Sequence, residues 1–324
     1  MTGRLAPSPT GQLHLGHAFS LLVAWWHARS QNGHVVLRID DVDSDRASAH
    51  FTEQLIVDLK WLGLDWDDVP RIASERASVH KSVVMQLLTQ GQAYPCVCSR
   101  RDVIAALGAP QQGATEIPYP GTCRGKYGSV DQAERASNKP ASVRFMTSAG
   151  QKHTVDQVFG RYEEDVAATI GDFIIQRRSG DSAYQLAVVI DDDLDHVSEV
   201  IRGRDLLPST LRQNMIARAL DLPIPTYVHL PLICDHTGRR LAKRDNDLSL
   251  SALREQGISA EQIVTWAARC ANQSVETEQV TAQQIRERFV ASRLTPGDII
   301  LPERVHAAFD PSVSLTRTRT RLNP

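Results

Sequence analysis

The segment Arg4-Leu5-Ala6-Pro7-Ser8-Pro9-Thr10-Gly11-Gln12-Leu13-His14-Leu15-Gly16-His17 constrains the fold of this chain more than any other. Leu5 and Ala6 suit the end of a buried strand, and Pro7 and Pro9 stiffen the connection that follows. Gly11 and Gly16 let backbone or ligand approach where a side chain would obstruct it. The apolar run from Ala18 to Trp26 reads as a helix. The first turn of such a helix carries unpaired N–H groups and positive potential, a seat for a nucleotide phosphate. A bare His-x-Gly-His also fits two histidines that flank a surface helix; the complete preceding turn favours the phosphate seat.

With 324 residues the chain can bury a large core, and one large domain plus a smaller one is expected. A formal net charge of -2 neither implies nor excludes a nucleic-acid partner, so any such partner has to be read from local sites. The cysteines are Cys96, Cys98, Cys123, Cys234 and Cys270. An odd number with three bunched suits metal binding or free thiols better than a disulfide framework, and points to a reducing compartment. The chain enters strand and turn without a basic, apolar leader, and no apolar run approaches the roughly 18 residues of a membrane span. A cytoplasmic protein with no membrane contact is expected.

Val35 to Ile39 reads as a buried parallel strand that ends in the carboxylates Asp40, Asp41, Asp43 and Asp45. The C-terminal edge of such strands is where α/β proteins place their sites. Phe51, Leu55, Ile56, Leu59 and Leu62 recur at helical spacing before Gly63, as do Val79, Val83, Val84, Leu87 and Leu88 before Gly91. This alternation predicts half of a nucleotide-binding sheet. From about Tyr94 to Lys139 the composition shifts to Gly, Pro and Gln, an inserted module too poor in apolar residues to hold itself together unaided. Strands are predicted at Ser142–Phe145, Phe173–Gln176 and Tyr227–Ile233, and a central strand at Tyr184–Ile190, capped by Asp191, Asp192 and Asp193. Asp205–Leu220 reads as a helix that tolerates Pro208 in its first turn. Helices are predicted around Ile263–Cys270 and, more loosely, Gln284–Val290. The tail from Ser312 to Pro324 admits three readings: a strand, a phosphate contact or a frayed end, with fraying favoured.

Taken together these segments resemble the class I aminoacyl-tRNA synthetases of the glutamyl type, from Gly3 to about Asp245. His14-Leu15-Gly16-His17 is similar to the family's HIGH signature, and Arg240-Leu241-Ala242-Lys243-Arg244 falls where its KMSKS loop belongs. Arg38-Ile39-Asp40-Asp41-Val42-Asp43, Tyr184 to Asp192 and Ile201-Arg202-Gly203-Arg204-Asp205-Leu206 resemble three further family segments. About 80 residues follow Lys243, which suits the short branch of the family with a small helical extension and no full anticodon-binding domain. The implied fold is an α/β Rossmann-like parallel sheet, formed by residues 1–94 and 141–245, with an inserted zinc-bearing acceptor-binding module at 95–140 and a mainly helical C-terminal region at 246–324. The implied reaction is activation of L-glutamate with ATP, as its Mg2+ complex, and transfer to the queuosine base of tRNA(Asp). A truncated enzyme that charges the 3′ end of tRNA(Glu), and an inactive RNA-binding relative, are the alternatives.

By this resemblance His14, Gly16, His17, Asp205, Leu241 and Lys243 hold ATP, with His14, His17 and Lys243 stabilising the phosphates as pyrophosphate departs. Arg4, Ala6, Ser8, Asp40, Tyr184 and Arg202 line the glutamate pocket. A guanidinium at Arg4 or Arg202 suits the side-chain carboxylate, and Asp40 suits the ammonium. Two residues depart from the family pattern: Ala242 replaces a serine, and Asp40 is one methylene shorter than the usual glutamate. Cys96, Cys98, Tyr119 and Cys123 resemble the family's zinc site, which would order the apolar-poor module. His153, His196 and His229 are read as packing or surface residues, and Arg100, Arg101, Arg124 and Lys126 as candidate phosphate contacts.

Overall fold

The computed structural model describes residues 1–42, 47–106, 117–241, 248–275 and 279–318. Strand β1 (Thr2–Leu5) runs into the proline turn, and helix α1 (Leu15–Ser30) follows. The helix buries Phe19, Leu22, Trp25 and Trp26 almost completely, so it is apolar on nearly every side. An all-round apolar helix belongs in the middle of a protein, not on its surface. Both indole N–H groups are satisfied, Trp25 by Asp65 and Trp26 by the Ala282 carbonyl. Strand β2 (His34–Ile39), helix α2 (Ala49–Trp61) and the short β3 (Arg71–Ile72) complete the first half, with β1-β2-β3 parallel throughout.

Helix α3 (Ala77–Thr89) leads to β4 (Ala93–Cys96), α4 (Arg100–Ala106) and α5 (Val130–Ser137). Next come β5 (Ser142–Phe145), the hairpin β6 (Lys152–Asp156) and β7 (Gly160–Glu164), α6 (Val166–Thr169) and β8 (Phe173–Gln176). The predicted strands β5 and β8 are present, but β5 pairs antiparallel with both β4 and β8, in a separate sheet of order β4-β5-β8. The antiparallel sheet thus runs past the module boundary expected near residue 140. Hairpin β6–β7 escaped the sequence reading because its strands alternate weakly and carry mostly polar residues.

The segment from Tyr184 onward corrects the sequence reading. It is not a strand but helix α7 (Tyr184–Leu194). A short continuous apolar run fits a buried helix as well as a buried strand. Here the helix continues through Asp191, Asp192 and Asp193, so these carboxylates project from helical turns and cap no strand. Strand β9 (Glu199–Gly203), helix α8 (Leu207–Ala219), β10 (Thr226–Leu230) and β11 (Ile233–Cys234) follow. Strands β9, β10 and β6 are parallel neighbours, in the order β7-β6-β10-β9. The Ser198 N–H donates to the Thr2 carbonyl at 3.0 Å, setting the start of β9 beside β1. The turn after β1 therefore lies next to the end of β9, at the carboxyl edge of the parallel strands, where open α/β sheets bind ligands.

Helix α9 (Leu250–Glu255) begins against the turn before α1, where the Leu250 N–H donates to the Leu13 carbonyl. Helices α10 (Ala260–Cys270) and α11 (Ala282–Arg286) pack beside α1, with Phe19 and Trp266 edge to face at 6.4 Å. Strands β12 (Ile299–Ile300) and β13 (Thr316–Arg317) extend β11. Within the tail, Thr316 and Arg317 are paired as a short strand and Arg317 donates to the Asn272 side chain at 3.0 Å, whereas residues 319–324 of the segment favoured to fray lie outside the described residues.

Candidate functional site

One cavity of about 500 Å3 opens between the β1–α1 turn, the ends of β2 and β9, the start of α7 and the strand that leads into the KMSKS-like segment. Its lining brings together Arg4, Ala6, Ser8, His14, Gly16, His17, Asp40, Tyr184, Arg202, Asp205 and Leu241. These are all of the sequence-predicted nucleotide and glutamate candidates except Lys243, which lies outside the described residues with Ala242 and Arg244. Sequence reasoning missed Arg177, which also lines this cavity.

His14 and His17 close the N-terminus of α1 reciprocally. His14 Nδ1 accepts from the Gly16 N–H at 3.1 Å, and His17 Nδ1 accepts from the His14 N–H at 3.2 Å. This is a capping box built from two histidines. Because each Nδ1 accepts, the proton of a neutral ring sits on Nε2, where it is a donor. Gly16 suits this arrangement: a Cβ there would sit 3.0 Å from His14 Cε1 and crowd the capping ring. Gly203 has a similar role, since a Cβ would meet the Asp205 carboxylate at 2.5 Å. Asp205 in turn pairs with Arg240 at 2.8 Å, tying the turn after β9 to the strand before Leu241.

Beneath the cavity lies a buried charge network. Arg38, 0% exposed, donates to Asp40 at 2.7 Å, to Asp192 at 2.8 Å and to Asp195 at 3.3 Å. Arg4 pairs with the same Asp192 oxygen at 2.7 Å. Arg76 pairs with Asp195, and His80 contacts Asp191 at 2.9 Å. The acids of α7 and its C-cap Asp195 therefore face the cations of β1 and β2, Arg76 before α3 and His80 within it, a role invisible while the segment was read as a strand. Burial opposes ionisation of Asp192, but Arg4 and Arg38 outweigh it and hold the carboxyl below the usual range. At Asp40 burial wins over Arg38, and the carboxyl is raised.

Two outcomes follow from this network. Replacing Arg38 with Met leaves three carboxylates without their shared cation and should cost about 3–5 kcal/mol by urea denaturation. A loss under about 1 kcal/mol would mean that Arg4 and Arg76 already neutralise the cluster. The Asp192 pKa is depressed on folding, so its stabilisation is complete above the unfolded value of about 3.9 and is lost as pH falls through the folded one.

The two candidate carboxylate-binding arginines differ. Arg4 is already paired with Asp192, whereas the partners of Arg202 are all uncharged: His229, the Leu206 carbonyl, Thr210 and Gln213. Among the described residues no carboxylate pairs with Arg202, a cation 6% exposed at the cavity wall.

Cys96, Cys98 and Cys123 bring their sulfurs within 4.8 Å of one another, away from this cavity. The Tyr119 hydroxyl lies 3.3 Å from Cys96 Sγ and 3.6 Å from Cys98 Sγ, so the four predicted ligands converge. Arg144 stacks on the Tyr119 ring at 3.7 Å and donates to Cys96 Sγ at 3.3 Å. Burial raises the Cys98 thiol to about 11 in the absence of a cation, so binding a metal there must displace protons. Of the predicted phosphate contacts, Arg124 is committed to Asp172 and to the Thr147 carbonyl. A second hollow of about 850 Å3 is lined by Arg100, Arg144, Arg177, Arg178 and Arg212, and Arg177 lines both hollows. Among the described residues no helix is long and apolar enough to cross a membrane.

The family profile of class I tRNA synthetases (E and Q), catalytic domain, matches residues 1–298. A protein of Rhodopirellula baltica named glutamyl-Q tRNA(Asp) synthetase is 41% identical over 302 residues, 89% of this chain and 91% of that one. A Synechococcus sp. (strain CC9311) protein named glutamate–tRNA ligase is 40% identical over 269 residues, 81% of this chain but 56% of its own. The crystal structure of a glutamate tRNA ligase from Elizabethkingia meningosepticum superposes with a TM-score of 0.81 at 23% identity, covering 95% of this chain and 68% of that one; this likeness concerns the fold. With the family profile spanning most of the chain and the signature residues gathered around one cavity, the chain belongs to the class I tRNA synthetases of the glutamate and glutamine group, and it is an ATP-dependent ligase.

Proposed function

We propose that the cavity activates L-glutamate with ATP and that the glutamyl group passes to the queuosine base of tRNA(Asp). A glutamate carboxylate oxygen attacks the α-phosphorus of ATP, the bond to pyrophosphate breaks, and the glutamyl-adenylate later releases AMP on transfer. The barrier is one of alignment and phosphoryl charge, so donors and cations matter more than a base. His14 and His17 at the α1 entrance, beside Gly16, meet the phosphates. Asp205 and Leu241 bound the nucleotide from the opposite wall, and Lys243 serves the departing pyrophosphate. Arg202 takes the side-chain carboxylate of glutamate, Asp40 and Tyr184 the ammonium side, and Ala6 and Ser8 the floor. Arg4 acts beside them with its charge shared by Asp192.

The observation that carries this reading is the uncompensated Arg202 in a cavity lined by the signature residues. The choice of queuosine rests on the relative of that name, matched over about nine tenths of both chains. The likeness to the Synechococcus charging enzyme favours a second reading, charging of tRNA(Glu). In the module, residues 95–140, Cys96, Cys98, Tyr119 and Cys123 would hold a structural Zn2+. Three thiolates and a phenolate oxygen suit a tetrahedral ion, which supplies cohesion there and takes no part in the chemistry. The arginine-lined hollow, joined to the cavity through Arg177, offers a polyanion a route to the adenylate.

Labelled glutamate and ATP, offered with tRNA(Asp) containing queuosine, the same tRNA lacking it, and tRNA(Glu), test the assignment. Label confined to the queuosine-containing tRNA(Asp) is expected. Label on tRNA(Glu) instead would make the chain a charging enzyme, and label on none would leave the inactive RNA-binding reading.

A further inference from the structure

Behind Arg202 three adjacent strands carry a chain of hydrogen bonds that nothing in the adenylation scheme requires. Strands β9, β10 and β6 are parallel, with His229 in register with Arg202 and Tyr227 in register with Asp156. Arg202 Nε lies 3.1 Å from His229 Nε2, and His229 Nδ1 lies 2.7 Å from Asp156 Oδ2. Asp156 Oδ2 also accepts from the His229 backbone N–H at 2.9 Å. Its other oxygen accepts from the N–H groups of Val158 at 3.0 Å and Phe159 at 2.8 Å. An ionised carboxylate with four donors aimed at it can only accept, so the imidazole proton sits on Nδ1. Nε2 then offers its lone pair to Arg202.

The ring is 0% exposed, and burial, joined by the charge of Arg202 against the pull of Asp156, holds the imidazole below its ordinary range. A second proton would set Nε2–H against Nε–H. The groups around the ring are Asp156 on β6, Arg202 on β9, Tyr227 stacked at 6.0 Å, Thr210 from α8 at 3.4 Å and the nearby Asp205.

We propose that His229, fixed by Asp156, is the positioning residue that aims Arg202 at the substrate carboxylate while leaving its charge unneutralised. A carboxylate in place of the ring would orient the guanidinium equally well, but would also satisfy the charge that has to recognise glutamate. Arg4 and Arg38 illustrate that alternative: both are paired with aspartates. The neutral ring fixes Nε, Thr210 and Gln213 hold Nη2 at 2.8 Å each, and Nη1 has no protein partner among the described residues. The guanidinium plane is thereby set before the ligand arrives, the preorganisation that a charged recognition site needs. This inference rests on Arg202 being the glutamate-binding arginine.

The test is glutamate-dependent exchange of pyrophosphate into ATP by the full chain and its His229→Leu and His229→Gln variants. Leucine removes the acceptor and should raise the glutamate KM about 10–100-fold, the worth of a hydrogen bond to a charged group, with the ATP KM within about twofold. Glutamine presents an amide oxygen to Arg202 and an amide N–H to Asp156, and should recover most of the loss. A folded His229→Leu variant with the wild-type glutamate KM overturns the proposal. So does an equal rise in both KM values that glutamine does not repair, since that marks packing alone. Should the leucine variant not fold, nitrogen-15 NMR of the wild-type imidazole decides: a neutral ring protonated at Nδ1 at pH 7 supports the relay, and an imidazolium or an Nε2–H ring overturns it. An Arg202→Lys variant with unchanged glutamate KM would remove Arg202 from the glutamate site, which is a failure of the underlying reading and not of the relay geometry.

Discussion

Replacing Arg202 with methionine is expected to lower glutamate-dependent pyrophosphate exchange by about 10²–10³-fold, the range measured when one partner of a buried charge pair is removed. The loss should fall on the glutamate KM and on kcat/KM, with ATP binding close to wild type. The fold should survive, because none of the protein partners of Arg202 is charged and none becomes a buried, unpaired ion. The remaining cost is that of acceptors left unsatisfied, about 1–3 kcal/mol. Lysine at the same position keeps the charge but loses the planar fork, and should retain an intermediate activity. Full exchange activity in Arg202→Met at subsaturating glutamate would shift recognition of the carboxylate to Arg4. That outcome is hard to reconcile with Asp192 already sharing the Arg4 charge at 2.7 Å.

The second large effect concerns the thiol cluster. The purified protein is expected to carry about one zinc per chain, and Cys98→Ser or Cys123→Ser to lose nearly all of it. Four converging side chains bring together Cys96 at the end of β4, Cys98 before α4 and the turn around Tyr119 and Cys123. The apolar cluster there is small, with Tyr94, Cys96, Val103, Tyr119 and Cys123 as its buried members. In a module this poor in apolar contacts a bound metal would supply a large share of the folding free energy, so its loss should open residues 97–106 and 117–126 to protease. The adenylation cavity lies elsewhere, with none of the three cysteines in its lining. Exchange of pyrophosphate should therefore outlast the metal, while transfer to RNA should fail with it. Unchanged metal content in both variants by elemental analysis would dismiss the cluster as a zinc site.

Much of this site was legible in the sequence because its parts are local. A strand end, a proline-stiffened turn and His-x-Gly-His within fourteen residues specify a helix entrance, since capping acts between residues three apart. Cys96-x-Cys98 likewise brings two thiols together over three residues, and the family resemblance added Tyr119 and Cys123. The strands at Val35–Ile39, Ser142–Phe145 and Phe173–Gln176 were legible from short apolar runs between turn signals, and each is present.

What the tertiary structure decided concerns partners distant in the chain. A continuous apolar run from Tyr184 to Ile190 is compatible with helix or strand, and only its packing between β8, α3 and α8 makes it helix α7. Helicity in turn places Asp191, Asp192 and Asp195 on a face that neutralises Arg4, Arg38 and Arg76, up to 188 residues away in sequence. Likewise, nothing local to β10 distinguishes His229 from an ordinary buried histidine. Its meaning comes from parallel pairing that sets Arg202 on one side of the ring and Asp156 on the other. The helix entrance and the Cys96-x-Cys98 pair were thus readable from residue type and local geometry, whereas the candidate roles in substrate and metal binding came from the family resemblance. Which of the two candidate arginines lacks a carboxylate partner was decided only by the fold, because the balance of a buried charge is set by every group packed against it.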